Sequence, residues 1–404
     1  MATSSTPARG TMLPGAGMPK AMVTLFAVAA GLAVANIYYV QPLLTAIARE
    51  FRQSSGTASL IVTVTTAGYA VGLVLVVPLA DVVDRRKLIV TLLSVVAVIQ
   101  AASAVAPSIT VLTAVSGVLA ISAVVAPIMV AFAATLAAPE HRGEVTGKVM
   151  SGVLVGVLLA RTGGGLVAEW AGSWRAVYAV AAGLMVVLAL ALHRKLPAVP
   201  AGERLGYGRL LRSVVSIVRE EPLLRLRCVY GFLSFAGFSA FWATTAFLLA
   251  GPPYHYSEAV IGGFGLIGAV GAFAARVTGR FVDGGRERLT TGVLLFAVLA
   301  AWGLMALDSG RALVPLVLGV VVLDLGVQGV QVANLSTVYR LRPEARSRIT
   351  MAYTGTYFLG GAVGSAASGA AYATGGWLAV CAVGTVFATL ALVVWAAVPR
   401  RRAH

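Results

Sequence analysis

The chain has 404 residues, 59% of them hydrophobic and 11% charged, with a mean hydropathy of +0.89. A soluble globular chain carries about twice that charge fraction, so the composition places this one in a bilayer and not in water. The net charge of +16 is not a nucleic-acid footprint, because the basic residues gather in loops on one side; Cys228 and Cys381, in apolar stretches away from any histidine cluster, exclude a disulfide framework and a zinc site.

The first 20 residues are small and polar and read as a disordered lead. The apolar run that follows is too long for a signal-peptide core, so it reads as an uncleaved first span. Spans are predicted at 21–47, 57–80, 88–106, 109–137, 145–170 and 174–192, then at 226–250, 257–282, 288–307, 312–337, 348–371 and 376–398. Each is long enough to cross the ~30 Å hydrocarbon layer as a helix, the open-ended element whose backbone satisfies itself in lipid. Residues 21–192 and 226–398 would then form two bundles, joined by a charged linker at 193–225 and followed by a basic tail at 399–404. In the linker Leu210, Leu211, Val214, Val215, Ile217 and Val218 alternate with Arg209, Arg212 and Arg219 at helical spacing. That is a basic amphipathic helix suited to anionic headgroups. Of 31 Lys and Arg, 25 fall on the side of the termini and linker, which orients both termini to the cytoplasm. Arg49, Arg52, Arg175 and Arg311 lie on the other side, while Arg161 and Arg276 lie within spans. The preference for Arg over Lys, 27 to 4, suggests a bacterial source with a high-GC genome and hence a bacterial cytoplasmic membrane.

The segment from Gly68 to Val90, GYAVGLVLVVPLADVVDRRKLIV, has a weaker copy 202 residues later, around Gly262 to Arg288. In each, an apolar stretch runs into an Asp followed by basic residues: Asp81 with Arg85, Arg86 and Lys87, then Asp283 with Arg286 and Arg288. An internal repeat of half the chain points to a transporter built from two similar halves. The pattern resembles motif A of the major facilitator superfamily, with Val77, Val82 and Asp84 departing from it and Gly279 kept in the second copy. Other stretches are similar to that family as well. Gly152, Gly156, Gly163, Gly164 and Gly165 resemble motif C, with Ala160 and Arg161 where that motif has Gly-Pro. Trp174 and Arg175 match the opening of span 6, Arg142 and Gly143 the turn after span 4, and Thr113 stands where motif B has its Arg. The resemblance implies an all-α membrane protein of twelve transmembrane helices in two pseudo-symmetric six-helix bundles. It further implies a cavity lined by spans 1, 4, 7 and 10, a seam made by spans 2, 5, 8 and 11, and a cytoplasmic gate at Asp81, Arg85, Arg86, Asp283 and Arg286.

Asp324 is the one acidic residue placed near mid-membrane, in VLGVVVLDLGVQGVQVANLSTVY. A carboxylate there costs ~2.5–3.5 kcal/mol on insertion scales, so it faces a cavity or a partner. Gln328 and Gln331 follow on the same helical face, flanked by Asn334; the stripe lines a wet pathway or glues helices together. Arg161, near mid-membrane in the other half, is the expected counterpart, and the two are the expected proton-coupling residues. Their pairing would hold Asp324 ionised until a proton or an anionic substrate competes for Arg161. Tyr230, Ser234, Phe238, Phe241, Trp242 and Thr245 fall on one face of span 7. Its repeat mate, span 1, brings Asn36, Tyr38, Tyr39 and Gln41 before Pro42, and span 11 adds Tyr353 and Tyr357. Aromatic faces with a few amides suit an amphipathic, largely apolar ligand.

His141, His193, His255 and His404 all sit in loops or ends, and no Walker A sequence is present. No enzyme, cofactor, metal, ATP drive or nucleic-acid partner is therefore expected. The expectation is a monomeric secondary active transporter of a small organic molecule, working by proton-coupled efflux of a drug-like compound or metabolite. The alternatives are uptake or exchange of a sugar or similar polar solute, and a non-transporting receptor or scaffold on the same fold.

Overall fold

The computed structural model describes residues 18–197, 206–269, 278, 286–342 and 345–398, and every regular element among them is helical. The first span opens with Lys20–Ala35 (α1), unwinds around Pro42, and resumes as Leu44–Glu50 (α2). Proline lacks the N–H that would reach back four residues, so the break falls there. Pro127 acts likewise in the fourth span, where Ile109–Ser122 (α5) and Val125–Leu136 (α6) meet at Ala123 and Val124. Between them come Ser55–Leu75 (α3), a tight turn at Val77–Asp81, and Arg85–Ala104 (α4). Starts are fixed by side-chain caps: Ser54 accepts from Thr57 N, Asp84 from Lys87 N and Ser108 from Val111 N. Arg142–Ala171 (α7) ends on Gly172 in the left-handed conformation, and Trp174–Lys195 (α8) follows.

The second half contains Pro222–Ala250 (α10), Glu258–Gly263 (α11) with a tighter continuation to Gly268, Glu287–Ala306 (α12), Leu313–Val338 (α13) and Arg346–Ala397 (α14). Nine helical segments among the described residues are long and apolar enough to cross a membrane. The longest, α14, holds the last two spans, which meet at Gly376 with φ 63° and ψ −153°, a region essentially reserved for glycine. The first span, split at Pro42, and the eighth, described over Glu258–Gly268, complete the twelve.

Within the first half α1 packs on α7 and α6, α3 on α5, and α4 on α8; within the second α10 packs on α14 and α12 on α13. Glycine sets the closest approaches. A Cβ on Gly31 would lie 2.5 Å from the Gly152 carbonyl, and one on Gly364 would overlap the Ala236 backbone. Helices in lipid associate through such small-residue contacts.

The linker helix Tyr207–Glu220 (α9) corrects one expectation. Leu210, Val214 and Ile217 are buried against the protein, where α9 packs on α14, α10 and the Val77–Asp81 turn, and Val215 alone of the apolar set is openly exposed. The apolar stripe is thus covered by the protein's own linker face and not by headgroups. Tyr207 donates to Leu75 O at 2.6 Å, and at the other end Arg342 binds Glu221 at 2.7 Å and Glu220 at 2.9 Å.

Candidate functional site

Four buried side chains and the partly buried Tyr38 come together where the halves join. Arg161 on α7 is 3% exposed; its Nε donates to Gln41 Oε1 at 2.6 Å, and its guanidinium lies 3.8 Å from the Trp242 ring centroid and 5.1 Å from that of Tyr38. Pro42 makes this possible, because unwinding the first span aims Gln41 across to α7. The expected direct pair with Asp324 is not made. Arg161 is turned to Gln41 and Trp242, one of its terminal nitrogens (Nη2) has no hydrogen-bond partner, and neither has Asp324 Oδ2. The charge of Arg161 nevertheless acts on Asp324, which is 2% exposed on α13.

The tight continuation of α11 links the two. A Cβ at Gly265 would lie 2.8 Å from Arg161 Cβ, and one at Gly268 would lie 3.7 Å from Asp324 Oδ1. Residues three apart in such a helix share a face and stand about 6 Å apart, so the Arg161 stem and the Asp324 carboxylate rest about one turn apart on the same strip of that continuation. Tyr38 and Tyr357 are the other titratable groups with electrostatic reach to this pair.

An aromatic wall adjoins it. Phe235 stacks on Tyr357 at 4.0 Å and on Phe238 at 5.5 Å, and Phe358 packs on Phe235 and Tyr69. Two small voids remain: about 20 Å³ bounded by Tyr38, Gln41, Phe235, Phe238 and Trp242, and about 10 Å³ bounded by Gln41, Arg161, Trp242 and Thr245. Each is of the order of one water molecule, so the site is closed upon itself in this conformation. Tyr357 OH donates to Gln331 at 3.1 Å, and Gln328, one turn from Asp324, is half-buried.

Three expected cavity residues lie elsewhere. Asn36 accepts from Gln100 at 2.7 Å and donates to Leu32 O, Ala33 O and Met185 Sδ, all inside the first half. Phe241 packs on Trp377 of α14, away from the first half, because consecutive helical residues point about 100° apart and Trp242 takes the central direction. Tyr39 lines an outward apolar groove of about 490 Å³ between α1, α7 and α8.

At the expected gate Asp81 pairs with Arg85 at 3.2 Å. Arg85 also donates to Ala80 O and to Thr135 on α6 at 2.7 Å, and Arg86 donates to His193 O at the end of α8. These partners all belong to the first half, and Asp84, not Asp81, caps a helix. Arg286 is exposed beside the start of α12, while Asp283, Gly279 and Arg276 lie outside the described residues.

Two constellations have no counterpart among the sequence expectations. Buried Arg227 on α10 binds Glu287, Thr291 and Asn334, and Asn334 donates to Tyr353, so four helices share one polar network. On the opposite face Arg175 binds Glu50 at 2.8 Å and the carbonyls of Ala104 and Ala106 at 3.0 Å. Arg227 stands in the sequence at the very start of the span predicted at 226–250, and its partners lie 60 or more residues away. For Arg175 the available signal was Glu50, the lone acid at the far end of the first span.

Known proteins share this fold. Residues 26–365 match the family model of the Major Facilitator Superfamily. The chain is 45% identical to the uncharacterized transporter YgaY of Escherichia coli, over 95% of this chain and 96% of that one. Its fold matches a bacterial homologue of the human lysosomal transporter Spinster with a TM-score of 0.76 at 16% identity, covering 93% of this chain and 95% of that one. The nucleoside transporter NupG matches with a TM-score of 0.73 at 13% identity, over 93% and 98%. The chain belongs to the Major Facilitator Superfamily and is a multi-pass membrane transporter of small molecules.

Proposed function

We propose that the protein exports a small organic molecule in exchange for protons, by alternating exposure of the central site, with the linker face toward the bacterial cytoplasm. The observation that supports this most is the pair of buried, opposite, unjoined charges at the junction of the halves, each with an atom lacking a partner. An intramembrane ionisable group of this kind marks an ion or proton path. When Arg161 turns from Gln41 to Asp324 the carboxylate is held ionised. When it turns away Asp324 takes up a proton. Substrate and proton thus compete for one switch, which is the requirement for exchange. Tyr38, Gln41, Phe238, Trp242, Gln328, Gln331 and Tyr357 surround the substrate, and the Asp81–Arg85–Arg86 cluster braces the cytoplasmic end of the first half.

The test uses a ligand found by thermal stabilisation of the purified protein, loaded into proteoliposomes under an imposed pH gradient. Asp324→Asn abolishes gradient-driven accumulation and keeps downhill exchange. Normal pumping by that variant sinks the proposal, and accumulation in the direction opposite to proton flow would make the protein an exporter, whereas co-directional flow would make it an importer.

A further inference from the structure

We infer that the substrate is an amphipathic organic acid, whose carboxylate lies between Arg161 Nη2 and Trp242 Nε1 and whose apolar body lies on the wall of Phe235, Phe238 and Tyr357. This rests on the central site being the substrate site. Two donors carry the argument. Arg161 Nη2 and Trp242 Nε1 are both buried, both lack a partner, and belong to side chains in contact at 3.8 Å. A buried donor without an acceptor is costly to keep, and two of them on touching side chains specify an acceptor on the ligand. The guanidinium is planar, keeps its charge at any physiological pH and matches a carboxylate edge to edge.

Asp324 is the only other unpartnered charge among the described residues at the site, and a proton can neutralise it. The permanent charge at the centre is therefore positive, and an anion is the ligand that balances it. Gln41 already occupies Nε, leaving the outer edge of the guanidinium for the ligand. The adjoining wall offers stacked rings and no further charge, so the rest of the molecule is apolar. A cationic ligand would seat its charge against Arg161, a juxtaposition that Asp324, one helical turn away, does not relieve once protonated.

The experiment uses the full-length protein in detergent and reads its thermal midpoint against benzoate, 3-phenylpropionate and octanoate, each beside its amide and its amine. At least one carboxylate raises the midpoint in proportion to its concentration, and the matched amide and amine do not. Trp242→Phe, which keeps a ring and removes the donor, weakens the apparent affinity about tenfold, and Arg161→Gln removes the shift. Should Arg161→Gln fail to fold, Trp242→Phe decides. Stabilisation by no carboxylate, equal stabilisation by amine and acid, or unchanged affinity in Trp242→Phe overturns the inference. Because binding in detergent needs no gradient, a protein that binds acids without exchanging protons keeps this inference and loses the proposed exchange.

Discussion

The halves meet along two seams, and the two are built of different chemistry. Between α3 and α14 the contacts are small and neutral along the whole helix. Gly369 meets Ser59, Thr63 bonds Ser365 at 3.0 Å, Tyr69 packs on Phe358 at 4.6 Å, and Val74 meets Gly355. Between α7 and α11 each contact carries polarity or a bare backbone. Glu169 accepts from Ala259 N at 3.1 Å, Gly165 lies against the Glu258 carbonyl, Thr162 donates to Gly262 O at 3.2 Å, and Arg161 lies against Gly262 and Gly265. The first seam has the makings of a bearing, on which neutral surfaces slide with little electrostatic penalty. The second holds the charges and registers any movement as a change in their partners.

The largest effect expected from this contrast comes from filling the second seam. Gly262→Leu would press a side chain into the Arg161 backbone, and destabilisation by overpacking of about 1–3 kcal/mol should appear as a lowered melting midpoint; Gly263→Leu, beside it in open space, should melt like the parent. Equal melting of the two variants would show that the close approach is not structural. Next, Glu169→Gln should slow transport while leaving the midpoint within a degree or two of the parent, since it weakens a seam bond without emptying the core; stopped-flow uptake measures it. In the neutral seam, a double-mutant cycle of Thr63→Val and Ser365→Ala should yield a coupling of about 0.6 kcal/mol, the usual worth of a hydroxyl bond between membrane helices. A coupling of several kcal/mol would make that seam a lock and not a bearing.

The smallest effect concerns pH at the linker face. The Glu220 carboxyl is held below its ordinary 4.5 by its hydrogen bonds from Ser216 and from Arg342. A carboxyl with a depressed folded value contributes stability above 4.5 that is lost as pH falls through the depressed value. The protection factor of amides along α9, which corrects for the intrinsic pH dependence of exchange, should therefore stay constant from pH 7 to about 5 and fall only below that, and the Arg342→Gln variant should lose the acid-side fall.

How much the sequence disclosed follows the range of each interaction. Spans come from composition averaged over some 20 residues, so they were legible, although 21–47 reads as one span and its break at Pro42 emerged only in the structure. Asp324 and Arg161 stood out because charges are costly in lipid. Their geometry was not legible, since Gln41 and Trp242 lie 120 and 81 residues from Arg161. Asn36 shows the limit of the polar-residue argument. An amide in a span needs a partner, but Gln100 on α4 serves as well as a cavity does. Phe241 shows the limit of the face argument, because a 100° arc of helix points to two neighbours.

The strap formed by α9 is fastened unequally. One end is held by a single neutral bond from Tyr207 to α3, the other by two charge-assisted bonds from Arg342. Bonds to ionised partners are roughly twice as strong as neutral ones. If rocking of the halves stretches the linker, the tyrosine end yields first, and α9 travels with the second half as its seventh helix. The repeat that makes the two halves alike in sequence would then leave them unequal in mass and drag, with the second half moving its neighbour's tether each time the transporter turns over.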